Sequence, residues 1–553
     1  MAFQEIYENE RHQIENYQEK AKDQEEKNAY QNVLKVLETL FAKQVGFSVD
    51  TPSEPLLIQA LLVASRRGMH LLTFLIIKVG GLPINTVVDP TQDSTALHQT
   101  ASHGHSVCVA LLLSLGACVL QQDRYGHTAA HLAAMFCHKL TYRLLIKKMD
   151  QQHLLNRAER THKQIAQNFK AYMKLYNKTK VIDPQKTLRF NDTNVAIKEL
   201  LMEENIRKKI KKVKKLVVDF SQGEAKEVKE AVLQEVGALV DHVATKNSLY
   251  KGRLVLVGSS ADNSRLYAPD EFDMNLVISG VEGVEVRMEE LASHEALLRG
   301  HPLRAQVRAS HPGLQGIAFK NNLYNLMKSC LMTRHTCDSR LSYVPPGLER
   351  TQAGVALSFA WQGKTYPLLL VSVDVVPVLG VPWPVWLERP LLTPDSLSEV
   401  FFTNTGEDEW RLSLAGAEAE VLSGLGWKDR VVYVSCKLLL SYLKAERWMP
   451  KPIKDSFCWW DSRKWRITVP AGFGVKNCFL KKLESIREGK FEWPRDILAA
   501  VAIVLREMCV DFKDPSNGHE FLVPMKVYAY FGGAFEKPKL GEGAPAIIKV
   551  LEK

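Results

Sequence analysis

Residues 254–280, LVLVGSSADNSRLYAPDEFDMNLVISG, decide how the chain is predicted to fold. An apolar run ends at Gly258 and gives way to two serines, and an alternating apolar run begins inside the acidic segment. This pattern predicts a strand, a loop and a second strand. Because Glu271 and Asp273 are two residues apart on the second strand, both carboxylates should lie on one of its faces.

Two neighbouring carboxylates repel each other unless a positive charge lies between them. A divalent cation is the usual partner, because it accepts several carboxylate oxygens at once. Gly258, Ser259 and Ser260 come just before the acids, and a glycine-serine turn can offer amides and hydroxyls to a polyphosphate. The alternative is an ordinary loop beside a surface acidic cluster.

A third acid, Asp374, lies in the run YPLLLVSVDVVPVL, which otherwise predicts a buried strand. A charge there is costly unless it is paired or bound to a metal. Residues 355–375 predict a hairpin with QGK at its turn, and its second strand carries Asp374. The alternative is a buried aspartate that caps a turn.

The motif resembles that of the nucleotidyltransferases typified by cyclic GMP-AMP synthase, with a glycine-serine pair, eleven residues and then E-F-D. The surrounding APDEFDM also matches that family. The resemblance implies that Glu271, Asp273 and Asp374 are catalytic and bind Mg²⁺, with Mn²⁺ as an alternative. It also implies that Gly258 and Ser259 bind the nucleotide phosphates.

Further along, EDEWRLSLAGAEAEVL at 407–422 resembles the family segment W-R-L-S-F-x-x-x-E. The resemblance implies that Arg411, Ser413 and Glu418 face the nucleotide. GFGVKNCFLKKLE at 472–484 resembles S-Y-H-x-K-x-x-F-x-H, with Phe473 in place of the tyrosine that stacks on a base.

Two departures from the family pattern bear on the product and the activator. In SCKLLLSYLK at 435–444, Ser441 stands where the synthase has a nucleotide-contacting lysine. Between Trp410 and Cys436 no residues supply the histidine and three cysteines of the vertebrate zinc thumb. The chain is therefore more similar to the zinc-free cyclic GMP-AMP synthase-like receptors of the male-abnormal family.

The composition agrees with a multidomain globular protein without a membrane span. The chain has 553 residues, a net charge of +10 and nine cysteines without a CxxC pair. This cysteine pattern indicates reduced thiols and a cytoplasmic location. The N-terminus lacks the apolar core of a signal peptide, and the most apolar window, 366–387, is interrupted by Asp374 and several prolines.

Residues 51–150 contain a repeat. DSTALHQTASHGH at 93–105 and YGHTAAHLAAMFCH at 125–138 align at a spacing of 33, which brings His98 and His131 into register. They resemble ankyrin repeats, and a degenerate third unit lies at 61–76. We expect both histidines to be structural and the repeats to bind a protein partner.

A basic run precedes the organising stretch. Residues 206–220, IRKKIKKVKKLVVDF, show a continuous apolar stripe at helical spacing, and seven of the nine residues from 207 to 215 are basic. Either the basic face is merely solvated, or it binds a polyanionic activator such as double-stranded RNA. The candidate activator residues are Arg207, Lys208, Lys211, Lys212 and Lys215.

Together these features predict a helical segment at 1–50, all-α ankyrin repeats at 51–150 and a connecting segment at 151–190. A nucleotidyltransferase core with a mixed sheet flanked by helices, including the basic spine helix, should span 191–400, and a helical lobe 401–553. The resemblance implies an innate immune sensor that makes a cyclic dinucleotide from ATP, GTP or both when a ligand activates it. An inactive binding scaffold and an enzyme with a linear or singly transferred product are the alternatives.

Overall fold

The computed structural model describes much of the chain, in segments. These are residues 2–21, 24–149, 154–177, 204–278, 285–289, 304–308, 316–351, 353–383, 392, 394, 396–404, 409–413, 415–448 and 472–511.

The N-terminal third is built from short antiparallel helices with one two-stranded ribbon. The helices are α1 Ala2–Glu19, α2 Gln24–Gln44, α3 Glu54–Arg67, α4 His70–Lys78, α5 Ala96–Ser102, α6 Ser106–Ser114, α7 Ala129–Met135, α8 Lys139–Ile146 and α9 His162–Asn177, and the strands are β1 Val87–Asp89 and β2 Ser94–Thr95.

The repeated histidines hold the turns, as predicted. The Nδ1 of His98 lies 2.9 Å from the Thr95 hydroxyl, and His131 makes the same contact with Thr128 at 2.8 Å. The Nε2 of His131 also lies 3.1 Å from the backbone oxygen of Arg160. Burial lowers the pKa of His131 to about 3, so its ring stays neutral and serves as a capping group.

The first two helices cover the open end of the repeats. The buried carboxylate of Glu10, on α1, accepts the N–H groups of Leu71 and Leu72 at 2.9 and 2.8 Å. These donors lie in the first turn of α4, where a helix has no acceptor of its own for them. The N-terminal segment therefore docks as a cap. An array of repeats needs such a cap to cover the apolar face of its terminal repeat.

The rest of the described chain forms helices around one sheet. The helices are α10 Glu204–Lys211, α11 Gly223–Lys246, α12 Gly258–Ala261, α13 Gly316–Leu331, α14 Ala415–Ser423, α15 Trp427–Trp448, α16 Gly472–Arg487 and α17 Ile497–Asp511. The strands are β3 Gly252–Val257, β4 Glu271–Ile278, β5 Glu285–Glu289, β6 Arg304–Arg308, β7 Leu341–Arg350, β8 Val355–Trp361, β9 Leu369–Pro382, β10 Glu399–Asn404 and β11 Glu409–Ser413.

Among the described residues, β3 to β11 form a nine-stranded mixed sheet centred on the long strand β9. The order is β3-β4-β9-β10-β11-β6-β5, and β7 and β8 extend the sheet beside the first half of β9. β4 and β9 run parallel, whereas β9 pairs with β8 and β10 in antiparallel fashion. The predicted mixed sheet flanked by helices is present.

The two faces of β4 differ as its alternation predicts. Phe272 and Met274 are fully buried and pack in the main core, which also contains Val232 and Val236 of α11 and Phe319 of α13. Asp273 lies on the opposite face, where Val277 packs in a small separate apolar cluster. One helix-covered face therefore supplies most of the stability, and the predicted site residue Asp273 lies on the other.

Three predicted boundaries differ from the structure. The basic run is not one helix, because α10 ends at Lys211 and a 3₁₀ turn, Val213–Lys215, follows. The long helix before the glycine-serine turn is α11, a separate element. Strands β10 and β11 belong to the sheet, so the sheet extends past residue 400 and the helical lobe begins with α14.

The segment predicted as a polar connection, 151–190, is partly an interface. Ile165 and Phe169 of α9 are buried against Val344, Ala360 and Leu368 of the sheet. Among the described polar residues of this segment, Asn156 donates to the side chain of Gln362 and Asn168 donates to the backbone oxygen of Pro367, both across the contact. The repeats are therefore packed onto the sheet through apolar side chains.

Candidate active site

The register of the two parallel strands brings two predicted catalytic acids together. Asp273 of β4 is the direct neighbour of Asp374 of β9, and Glu271 lies opposite Ser372 in the same ladder. Neighbouring residues of paired strands point to the same face, so all three acids share one side of the sheet.

Burial and mutual repulsion both disfavour the charged form of these acids. Burial, together with the charges of Glu271 and Asp374, raises the pKa of Asp273 to about 7. Burial, with a smaller contribution from Glu271, raises the pKa of Asp374 to about 6. A buried pair of carboxylates in this state would be stabilised by an added cation.

Glu271 is engaged by an arginine. Its carboxylate forms an ion pair with Arg265, whose guanidinium also bonds Asp270 through Nε at 2.9 Å. Within the described part of the chain, no three His, Cys, Asp or Glu side chains already converge as a set of metal ligands. The geometry explains this, because Glu271 is held towards Arg265.

The donor chemistry of the acids nevertheless fits the predicted metal. Carboxylate oxygens are the ligands that Mg²⁺ and Mn²⁺ prefer, and Asp273 and Asp374 already lie side by side. Burial and, to a smaller extent, repulsion raise their pKa values, and a bound divalent cation would stabilise the charged forms against both. Glu271 would complete the set by exchanging Arg265 for the cation.

The glycine-serine turn lies directly against Asp273. Val257 pairs with Asp273 across β3 and β4, and the chain then turns sharply at Gly258, where φ is 67°. A side chain at Gly258 would collide with the carboxylate of Asp273. Ser259 is half-buried and Ser260 is buried. The predicted phosphate-binding turn and the predicted metal-binding acid are thus in contact.

Sequence reasoning missed a lysine at this turn. The Nζ of Lys437, on α15, donates to the hydroxyl of Ser264 at 2.6 Å, and that hydroxyl donates in turn to the carboxylate of Asp262. Burial lowers the pKa of Lys437, while the charge of Asp262 opposes the shift. Lys437 belongs to the segment SCKLLLSYLK, but its contact with Ser264 depends on the fold and has no local signal in the sequence. The side chain of Ser441, one helical turn later, lies outside the described atoms.

A second lysine was also missed. Lys476 of α16 forms an ion pair with the buried carboxylate of Glu418 on α14. The charge of Lys476 also lowers the pKa of Asp273, which places the lysine within electrostatic range of the acids. Burial raises the pKa of Glu418 and the lysine opposes that rise. The predicted site residue Glu418 therefore belongs to the same region as the acids.

Other predicted nucleotide residues are placed less fully. Ser413 is half-buried at the end of β11 and pairs with Phe401. Arg411, on β11, pairs with Thr403 of β10 and therefore lies two strands away from β9. Phe473 lies in the first turn of α16. The side chains of Arg411 and Phe473 are outside what the structure describes.

The predicted activator residues lie on an exposed surface. Lys211, Lys212 and Lys215 are exposed, as are Arg207 and Lys208, while Ile210 and Val213 are buried beneath them. The Nζ of Lys214 lies 4.8 Å from the ring centroid of Trp427, which is 58% exposed at the start of α15. An exposed tryptophan among lysines offers both charge and a stacking face.

Comparison with known proteins bears on the N-terminal part. The sequence profile of ankyrin repeats matches residues 61–155, in three copies. This stretch is an ankyrin-repeat unit. The number of repeats agrees with the prediction, and the match begins ten residues later and ends five residues later than the predicted bounds of 51–150. No curated protein sequence matches the chain.

The ankyrin unit is identified by two independent observations, whereas the sheet is known from its geometry alone. For the repeats, sequence profile and geometry agree, and such repeats are a common protein-binding surface.

Among the helices that the structure describes, none has both the length and the apolar composition required to cross a membrane.

Proposed function

We propose that this protein is a ligand-activated nucleotidyltransferase that converts ATP, GTP or both into a cyclic dinucleotide and so acts as an innate immune sensor. One observation carries the proposal. Asp273 and Asp374 lie side by side on parallel strands, directly against the turn at Gly258. This arrangement of the acids and the turn suits phosphoryl transfer, whereas a surface acidic cluster would not require the turn to contact the acids.

Residues at different positions around the site would have different roles in the reaction. Ser259 and the backbone at Gly258 would hold the outgoing phosphates of one nucleotide, and Lys437 and Lys476 would add positive charge there. Bound at Glu271, Asp273 and Asp374, Mg²⁺ or Mn²⁺ would neutralise the triphosphate and acidify the attacking ribose hydroxyl.

The remaining predicted residues would select and orient the nucleotides. Arg411, Ser413 and Glu418 would face the nucleotide, and Phe473 would stack on a base. Attack of a ribose hydroxyl on the alpha-phosphate of the second nucleotide forms one phosphodiester and releases pyrophosphate. A second round on the reversed linear intermediate closes the ring.

Activation would involve the basic surface formed by Arg207, Lys208, Lys211, Lys212 and Lys215. Its exposed lysines and the neighbouring Trp427 suit double-stranded RNA or another polyanion. The ankyrin unit would bind a protein partner.

One observation favours a second candidate, a catalytically inactive binding scaffold. The ion pair between Arg265 and Glu271 satisfies a carboxylate that an active site would use for metal. In that case the acids would be structural and the ankyrin unit would carry the function.

Incubation of the purified protein with nucleoside triphosphates labelled at the alpha-phosphate, Mg²⁺ and candidate polyanions tests these alternatives. A cyclic product supports the proposal, a linear product indicates another acceptor, and no product under any condition favours the scaffold. In an active protein, Asp273→Asn or Asp374→Asn should lower incorporation about a hundredfold or more.

The same substitutions should leave thermal stability equal or higher, because each removes repulsion within the acid cluster. Asp241→Asn, on the exposed face of α11, is the matched control and should change neither measurement. Near-normal turnover in either acid variant would contradict the assignment of the acids.

A further inference from the structure

The ankyrin unit and the sheet enclose a cavity between them. It measures about 410 Å³ and is lined on one side by residues 157–160, which follow the last repeat, and on the other by the turn between β8 and β9. The start of α11 and Arg340 close it. This volume is within the range typical of small-molecule sites.

Several charged groups of the cavity are already satisfied. The carboxylate of Glu224 accepts the indole N–H of Trp361 at 2.7 Å and the backbone N–H of Lys364 at 3.1 Å. Arg340 is held by Asp338 at 2.8 Å and by Glu227 at 2.5 Å. The hydrogen bonds and ion pairs of these groups stabilise the cavity wall, so these groups do not require a ligand.

The two arginines from the ankyrin side are different. Among the described residues, Arg157 donates long hydrogen bonds to Thr336, at 3.3 and 3.5 Å, and Arg160 donates to the backbone oxygen of Gly363 at 3.5 Å. The Nε of Arg160 is buried without an acceptor among the described residues. Within those residues, neither guanidinium has a carboxylate in ion-pair contact.

A buried amide adds a second unsatisfied donor. Gln362 is 2% exposed and lines the cavity. Its Oε1 accepts a hydrogen bond from Asn156 at 3.0 Å, whereas its Nε2 has no acceptor in the described part of the chain. Buried donors without partners are costly, and here they all lie in one cavity.

We propose that this interdomain cavity binds a phosphate group of a small molecule. Both unsatisfied atoms are donors, Arg157 adds a second guanidinium whose bonds to Thr336 are long, and a tetrahedral dianion offers enough acceptors for all three side chains. Lys364, exposed at the turn between β8 and β9, adds a cation at the rim. Glu159 also lines the cavity, but it is exposed, so water screens its charge.

The bound anion would link the two units of the protein. Arg157 and Arg160 follow the ankyrin unit, whereas Gln362 and Lys364 belong to the turn that leads into β9, the strand of Asp374. The cavity is separate from the acid cluster and does not depend on the proposed enzymatic function. The test below measures binding rather than turnover, so the two proposals fail independently.

The test is titration of the full-length protein with inorganic phosphate, followed by calorimetry and by the shift in Tm at constant ionic strength. We expect saturable binding, weakened about tenfold or more by Arg157→Gln or by Arg160→Gln, because each removes a charge-assisted bond. Lys364→Gln, at the exposed rim, should weaken binding less and carries little risk of misfolding.

The matched control is Arg143→Gln, an exposed arginine on α8 that should bind phosphate like the unchanged protein. Ser259→Ala reports on phosphate held at the glycine-serine turn instead. The proposal is overturned if phosphate up to about 10 mM gives no saturable effect. It is equally overturned if the cavity variants bind like Arg143→Gln, or if Ser259→Ala alone abolishes binding.

Discussion

Gly258 shows how strongly one residue can be constrained by its neighbours. Its φ of 67° is in the left-handed region, and the space for a Cβ is filled by the carboxylate of Asp273. Either constraint alone favours glycine, and together they exclude other residues without movement of the acid. The turn and the acid are therefore a single geometric unit.

We expect Gly258→Ala to destabilise the protein by about 1–3 kcal/mol, because the new methyl group displaces Asp273 and strains the turn. Urea unfolding measures the loss, and any nucleotide incorporation should fall with it. Gly237→Ala in α11 is the control. Its Cβ meets no atom within 4 Å, so the substitution should be neutral or stabilising.

An unchanged unfolding free energy and unchanged activity in Gly258→Ala would show that the turn tolerates a side chain. The contact with Asp273 would then be incidental.

At the scale of elements, the basic segment is a short helix followed by a 3₁₀ turn. The break matters, because it turns Val213 into the core while Lys211, Lys212 and Lys215 remain exposed. Apolar residues anchor the segment and the lysines are free to meet a phosphate backbone. The break also brings Lys214 over the ring of Trp427.

Reversal of Lys211, Lys212 and Lys215 to Glu should weaken polyanion binding and flatten its salt dependence, because fewer counterions are displaced. Each lysine that contacts a phosphate should contribute about 0.7–0.9 to the slope of log K against log salt. Binding to double-stranded RNA at several salt concentrations measures both effects.

Lys27, Lys35 and Lys147, which are exposed on the ankyrin side, provide a control triple reversal with the same change in net charge. If both triple variants lose affinity equally, the effect is one of net charge and the basic segment is merely solvated.

At the scale of the whole molecule, the ankyrin unit is packed onto the sheet. Phe136 and Met135, at the end of α7, share an apolar cluster with Val344, Ala360 and Leu368 of the sheet. The ring of Tyr125 also lies 6.0 Å from that of Tyr343, and the side chain of Arg350 forms an ion pair with Glu25 at 2.8 Å. A mere connecting segment at 151–190 would let the part that contains the sheet fold alone, and this interface argues otherwise.

We expect a truncated chain that begins near Asp183 to have a lower Tm and to aggregate, because Val344, Ala360 and Leu368 lose their cover. Size-exclusion chromatography and thermal unfolding measure both effects. The same truncated chain with Val344→Thr and Leu368→Lys should regain solubility.

A truncated chain as soluble and as stable as the full-length protein would show that the interface contributes little. The ankyrin unit would then be an independent domain.

Local patterns in the sequence were enough to determine local features. The period of two in EFDM predicted that Glu271 and Asp273 share a face opposite Phe272. The spacing of 33 predicted two repeats with structural histidines, and a degenerate unit at 61–76 gave the third. Both inferences involve residues close in the chain, whose geometry follows from the pleat of a strand or the turn of a repeat.

Tertiary structure decided which distant residues meet. Asp273 and Asp374 lie side by side because two strands about a hundred residues apart pair in parallel. Lys437 contacts Ser264 across 173 positions of the chain. The apolar contact at Leu368 and the unsatisfied donors of Gln362 likewise exist only once the two units pack. Because such contacts depend on the fold of both partners, no local pattern of residues specifies them.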